Sequence, residues 1–360
     1  MTKLTSRQVV LIGALFAITD ATTSVQAQVA SFARQHICVV FLITFAVLLI
    51  PLWMLSRVSK RFPRQDLFQA LAERHPVMGR AVILLYILYF LWVAARDVRL
   101  TGDFFNITLL TRTPVGVTTA VNILAAVTLV RPAGIKVLAR STELYGTALF
   151  LIIPLVFIAL FKDLDFSFML PLADFDVVGV LEGAWVITAY FGDIIGIAFI
   201  VSGGEFRFRD GFWAMALASG GLLIISMLSV LSLGVPVMST MTFPLYEMVR
   251  QIRITDFLDR FELPVLAVWA TTIVCKIGYS LYLMCLGFKR MIPGLPGQRM
   301  VFPVALLLFS CSFWFFENAV DMIHMNLTMP LMEYVFQFLF PAVLFLALWP
   351  KREGGGESRG

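Results

Sequence analysis

Asp193 stands in the stretch Ala189-Tyr190-Phe191-Gly192-Asp193-Ile194-Ile195-Gly196, near the middle of an apolar run over 180–201. A carboxylate at the centre of a membrane helix costs about 2.5–3.5 kcal/mol on insertion scales, and it usually faces a cavity or a partner. Gly192 and Gly196 each weaken the helix by about 1 kcal/mol and let its backbone open. A second polar stretch, Thr19-Asp20-Ala21-Thr22-Thr23-Ser24, interrupts the apolar run at 8–30. Within a bilayer such a patch is tolerated only where it is buried in protein or lines water. The chemistry that two such breaks support is solute binding. Unwound amides and carbonyls suit the carboxylate and ammonium of an amino acid, and half-helix N-termini favour anions. The candidate substrate-binding residues are therefore Thr19, Asp20, Thr22, Thr23, Tyr190, Gly192 and Asp193.

Two further buried-charge motifs accompany them. Lys276 lies deep in the apolar run 264–288, about twelve residues from either end, which is too central for easy snorkelling. Its expected partners are the carboxylates or carbonyls of the broken helices, Asp20 and Asp193 among them. There it stands in for a coupling cation or carries a proton. Arg96-Asp97-Val98-Arg99 occurs in the third apolar run. Arg96 and Asp97 are assigned to the lining of an extracellular vestibule, with internal pairing as the alternative. The three histidines are scattered, no Cys/His cluster exists, and HExxH and GxSxG are absent. No metal, no cofactor and no catalytic constellation is expected.

The elements that position these residues follow from composition. The chain has 360 residues, of which 59% are hydrophobic and 14% charged, far below the roughly 25% charged of soluble domains. Apolar runs long enough to span fall at 8–30, 38–56, 81–110, 114–130, 143–161, 180–201, 212–234, 264–288, 301–317 and 331–349. The first is a transmembrane helix rather than a signal peptide, because it continues in polar residues and further spans follow. With the N-terminus in the cytoplasm, 19 Lys and Arg fall inside and 6 outside, so both termini are expected to be cytoplasmic.

The basic stretch after the second run (Arg57 to Arg80) reads as a loop. So do Glu317, Asp321 and His324 after the ninth. Residues 243–262 read as two amphipathic helices on the membrane surface, the second capped by Thr255. The Gly-rich tail, 351–360, reads as a disordered cytoplasmic segment.

Ten spans divide into repeats of about 8–161 and 180–349, within one permease domain over 1–350. An odd number of spans per half requires the halves to be inverted. The polar breaks then occupy corresponding helices, the first and the sixth, about 175 residues apart. The fold class is an all-α polytopic membrane protein, a 5+5 inverted repeat of the LeuT-like kind.

Several motifs resemble one family. They are Arg61-Phe62-Pro63-Arg64-Gln65-Asp66-Leu67, Leu85-Tyr86-Ile87-Leu88-Tyr89-Phe90, Gly134-Ile135-Lys136-Val137-Leu138-Ala139-Arg140 and Leu170-Pro171-Leu172. Above all there is Phe243–Glu262 with Trp269 and Lys276, in which Ile254-Thr255-Asp256-Phe257-Leu258-Asp259-Arg260 is the most specific segment. In order and spacing they resemble the germination permease family, the B-type components of spore germination receptors, of the amino acid–polyamine–organocation superfamily. The resemblance implies a nutrient-germinant sensor in the endospore inner membrane. It would bind a small molecule, typically an amino acid, beside an A-type membrane subunit and a C-type lipoprotein. A proton- or sodium-coupled amino acid transporter is the alternative function. Two departures leave the ligand open: side-chain hydroxyls replace the usual glycine in the first break, and Gly192-Asp193 replaces Gly–Glu in the sixth.

Overall fold

The computed structural model describes residues 4–62, 65–131, 134–170, 175–201, 205–252, 260–292 and 294–348. Eight of its helices are long and apolar enough to cross a membrane, and Val115–Val130 is a shorter apolar one. The first helix is short, ending at Ile18, because it breaks where its polar residues begin.

That helix, α1 (Ser6–Ile18), begins at a capping box in which Thr5 and Gln8 each bond the other's backbone amide. It gives way at Thr19-Asp20 to the short turns Ala21–Ser24 and Gln26–Ala33. Next come α2 (Ile37–Arg61), α3 (Pro76–Thr108), α4 (Val115–Val130) and α5 (Ile135–Leu160). The sixth element is α6 (Val177–Phe191), which tightens into the 3-10 turn Gly192–Ile195 and resumes as Gly196–Ile200. Then follow α7 (Phe208–Leu233), α8 (Glu262–Met291), α9 (Val301–Phe315) and α10 (Met329–Ala347). A π-turn, Val335–Leu339, sits inside α10.

The packing follows an offset of five helices. Helix α1 lies against α7, and its counterpart α6 lies against α2; α3 packs on α9, and α8 on α4. The pairs α3–α4 and α8–α9 likewise correspond. The broken helices thus share a bundle with α2 and α7, while α3, α4, α8 and α9 form the second group. Helix α3 has 33 residues, about 50 Å of helix at 1.5 Å per residue, longer than the thickness of a hydrocarbon core of about 30 Å. Charges near its middle therefore sit deep, and those a turn or two onward sit near one end.

Three loop readings change. The basic stretch after α2 contains a helix, Leu67–Arg74, whose N-terminal amide at Gln69 is capped by Asp66, and Arg80 belongs to the first turns of α3. A helix capped by Asn318, Ala319–Met325, carries Asp321 and His324, and the side chains of Glu317 and His324 are exposed. Within 243–262 the helix Pro244–Arg250 does not lie free on a membrane surface. Tyr246, Met248, Val249 and Ile252 are buried, with Ser229 of α7 donating to Met248 Sδ at 3.3 Å. Its apolar face covers the bundle, so its amphipathicity reports protein packing instead of lipid contact. Thr255, most of the 254–260 motif, Arg64, the Pro171-Leu172 pair and the 351–360 tail lie outside the described residues.

Candidate functional site

The polar interruptions converge on one buried ion cluster. The break after α1 delivers Asp20, the 3-10 turn after α6 delivers Asp193, α3 delivers Arg96 and Asp97, and α8 delivers Lys276. Each of these side chains is 0–1% exposed. One guanidinium nitrogen, Arg96 Nη2, donates to Asp20 Oδ2 at 2.7 Å and to Asp193 Oδ2 at 2.6 Å. The Lys276 ammonium contacts Asp20 Oδ1 at 2.7 Å, Asp193 Oδ2 at 2.9 Å and Asp97 Oδ2 at 3.2 Å. The two broken helices are therefore tied together by two shared cations. Removing one partner from a buried set of this kind costs about 3–5 kcal/mol, because the remaining charges stay buried.

A sixth member went unforeseen. Glu333, in the first turns of α10, accepts from Arg96 Nη1 and is 1% exposed. Its signal was present: an ionisable residue inside an apolar run is a functional candidate by default. One turn later Gln337, in the π-turn, donates to Ala189 O at 2.6 Å and to the Tyr89 hydroxyl at 3.1 Å. Tyr89 in turn donates to Asp193 Oδ1 at 2.9 Å. Gln337 thus satisfies a carbonyl freed where α6 loosens, a common way of stabilising a break.

Gly192 makes room for that contact. A Cβ at residue 192 would lie 1.9 Å from Gln337 Oε1. Gly192→Ala is therefore expected to displace Gln337 and destabilise the protein by about 1–3 kcal/mol through the unpaired Ala189 carbonyl. Gln337→Ala should cost much less on top of Gly192→Ala than on its own. Thermal unfolding of the two single variants and the double reads this coupling, and strict additivity would contradict it.

The other sequence-selected residues hold the site's shape. Thr19, Thr22 and Thr23 donate to Leu15 O, Thr19 O and Asp20 O at 2.8, 2.7 and 3.0 Å, closing the frayed end of α1. Trp269 Nε1 of α8 donates to Thr19 O at 3.0 Å and to Thr22 Oγ1 at 2.9 Å. Tyr190 places its ring 4.3 Å from the Arg96 guanidinium carbon and donates to Asn326 Oδ1 at 2.6 Å. The assignment of Arg96 and Asp97 to a vestibule is corrected. Both are buried at the cluster's centre: Arg96 supplies a second positive charge to the carboxylates of the two broken helices, and Asp97, the next residue on α3, lies against Lys276 at 3.2 Å. Arg99 and Asp103, one and two turns onward, pair at 3.3 Å and stand nearer that end of α3.

Aromatic side chains close the cluster on both sides along α3. Toward one end Phe104 stacks edge-on with Trp269 at 4.8 Å, Phe243 at 4.9 Å and Tyr246 at 5.7 Å. A cavity of about 60 Å³ lies among these rings, with Thr22, Thr23 and Glu262 also on its wall. Phe243, Tyr246 and Glu262 are shared with a wider polar recess of about 720 Å³, which Glu247, Arg250 and Arg260 also line. Toward the other end Tyr89 stacks on Phe336 at 4.9 Å and Phe336 on Phe340 at 5.0 Å, while Tyr86 meets Phe199 at 4.6 Å with the rings tilted by 51°.

Known proteins of the same design exist. Residues 3–320 match the family described as spore germination protein, Spore_permease. The YfkT protein of Bacillus subtilis (strain 168) is 27% identical over 361 residues, covering 100% of both chains. Spore germination protein KB of the same organism is 27% identical over 279 residues, 74% of each chain. Among solved structures, the chain resembles Mhp1, a nucleobase-cation-symport-1 family transporter, in a closed conformation with bromovinylhydantoin bound. The TM-score is 0.71 at 14% identity, covering 94% of this chain and 77% of that one. It also resembles a Na⁺-coupled sialic acid symporter in a substrate-bound outward-open state. There the TM-score is 0.61 at 13% identity, with 96% and 79% covered. The expected LeuT-like fold is the fold these transporters have.

Proposed function

The chain belongs to the spore germination protein family, a family of multi-pass membrane proteins, and from that premise we propose that it binds a small nutrient solute where its two broken helices meet. An amino acid is the ligand the site suits best. The observation that carries this reading is the cluster itself: Asp20 and Asp193, one from each break, share both Arg96 and Lys276. A zwitterion offers a carboxylate to the cations and an ammonium to the acids. It can therefore compete for contacts that differ between closed and open arrangements of the breaks, and a ligand shifts a conformational equilibrium only through such a difference. The polar recess at Glu247 and Arg260, with the Phe104–Tyr246–Trp269 barrier beneath it, supports an approach from that side.

Signalling follows from the same geometry. Solute binding loosens the link between α1 and α6, and the shift passes to partner proteins, an A-type membrane protein and a C-type lipoprotein, in the endospore inner membrane. Both chain termini then face the cytoplasm. The second reading is a proton- or sodium-coupled amino acid transporter, favoured by the shared cations, which hold the breaks as a coupling ion does. Flux of labelled amino acid into proteoliposomes separates the two. A receptor gives no accumulation under an imposed proton or sodium gradient. Gradient-driven accumulation would overturn the sensor reading in favour of the transporter.

A further inference from the structure

The ion cluster contains more acid than base. Four carboxylates, Asp20, Asp97, Asp193 and Glu333, face two cations, Arg96 and Lys276, so full ionisation leaves two negative charges in excess. All six side chains are 0–1% exposed, and an uncompensated buried charge is neutralised before it is tolerated. The carboxylates are not equivalent. Asp20 and Asp193 each contact both cations within 2.9 Å. Asp97 lies 3.2 Å from Lys276 Nζ and 3.7 Å from Arg96 Nε, and neither of its oxygens receives a hydrogen bond. Glu333 meets Arg96 through Oε1 alone, while the buried Oε2 receives none. The nearby polar side chains are engaged elsewhere: the Tyr89 hydroxyl is directed at Asp193, Gln337 Nε2 at Ala189 O and Tyr89, the Tyr190 hydroxyl at Asn326 and the Tyr334 hydroxyl at Trp185 O.

We propose that this cluster is a proton-binding site, in which at least one proton taken from water resides on the Asp97 or Glu333 carboxyl group. A proton is favoured over a metal ion by the directions of the acids. Their oxygens turn toward Arg96 and Lys276, and among the described residues no group of three or more His, Cys, Asp or Glu converges to hold a metal. Protonation turns an unpartnered acceptor into a donor and removes one excess charge at the same time. The site stands whether or not the solute reading holds, since it follows from the charges of the closed protein alone. Opening the cluster to water would let the proton leave, so the closed arrangement is the one that holds it.

The test uses the full chain purified in detergent, without solute. In the unfolded chain at neutral pH these carboxyls are ionised, so folding takes up the protons and stability falls as pH rises. Each proton held makes the folded-to-unfolded ratio drop about tenfold per pH unit across neutral pH. The slope should flatten in Asp97→Asn/Glu333→Gln, or in Asp97→Asn and Glu333→Gln read singly if the double variant does not fold. Infrared spectra at pH 7 should show the carbonyl stretch of a neutral carboxylic acid in the parent protein, diminished in the same variants. A parent protein with no such band and the same slope as the variants would overturn the proposal. So would stabilisation by sodium over choline at equal ionic strength with the band absent, which would assign the balancing charge to a bound ion.

Discussion

Arg96→Met is expected to have the largest effect of any single substitution, a loss of about 3–5 kcal/mol. The side chain holds Asp20, Asp193 and Glu333 directly and stacks on Tyr190. Methionine keeps much of the apolar stem and removes the whole charge, leaving four buried acids with Lys276 alone. Total stabilities of folded domains are about 5–15 kcal/mol, so the variant should reach the membrane at strongly reduced levels or unfold at a much lower temperature. Arg96→Lys should recover only part of the loss, because an ammonium cannot span the three carboxylates in the way the guanidinium fork does. Full recovery in the lysine variant would show that charge alone matters at this position.

Lys276→Met is the second. The ammonium has three carboxylate partners on three different elements, so its loss should abolish solute response and lower the amount of assembled protein. The cost is again about 3–5 kcal/mol. Asp97 depends on it most, since the other cation near Asp97, Arg96 Nε, lies at 3.7 Å. Asp97→Asn placed on Lys276→Met should therefore return about 0.5–3 kcal/mol, the usual range for coupling between contacting residues. Equal unfolding temperatures for the single and the double variant would show that Lys276 stabilises the protein by another route.

Much of this site was legible in sequence because charges stand out in apolar runs. Asp20, Asp193 and Lys276 are isolated ionisable groups in spans, and the structure brings all three within direct contact. The fold was legible for the same reason: corresponding breaks in the first and sixth helices pointed to paired repeats, and the helix packing follows that pairing. What stayed hidden depends on the third dimension. Arg96 and Asp97 sit beside Arg99, and the motif alone does not say that a helix of 33 residues puts the first two at its buried middle and the third toward an end. Gln337 carries no charge and is visible only once the π-turn aims it at Gly192. The helix Pro244–Arg250 looked like a membrane-surface helix because its apolar face is the same whether lipid or protein covers it.

Asp193→Asn tests the central claim most directly. The substitution keeps the size of the side chain and its ability to accept from Tyr89, and removes the charge that Arg96 and Lys276 share. The measurement is the nutrient concentration giving half-maximal germination, in spores shown to contain equal amounts of parent and variant protein. A site at the paired helix breaks requires that concentration to rise at least about tenfold, the equivalent of about 1.4 kcal/mol of binding, or the response to disappear. An unchanged response at equal protein level would contradict it and place solute recognition elsewhere in the chain.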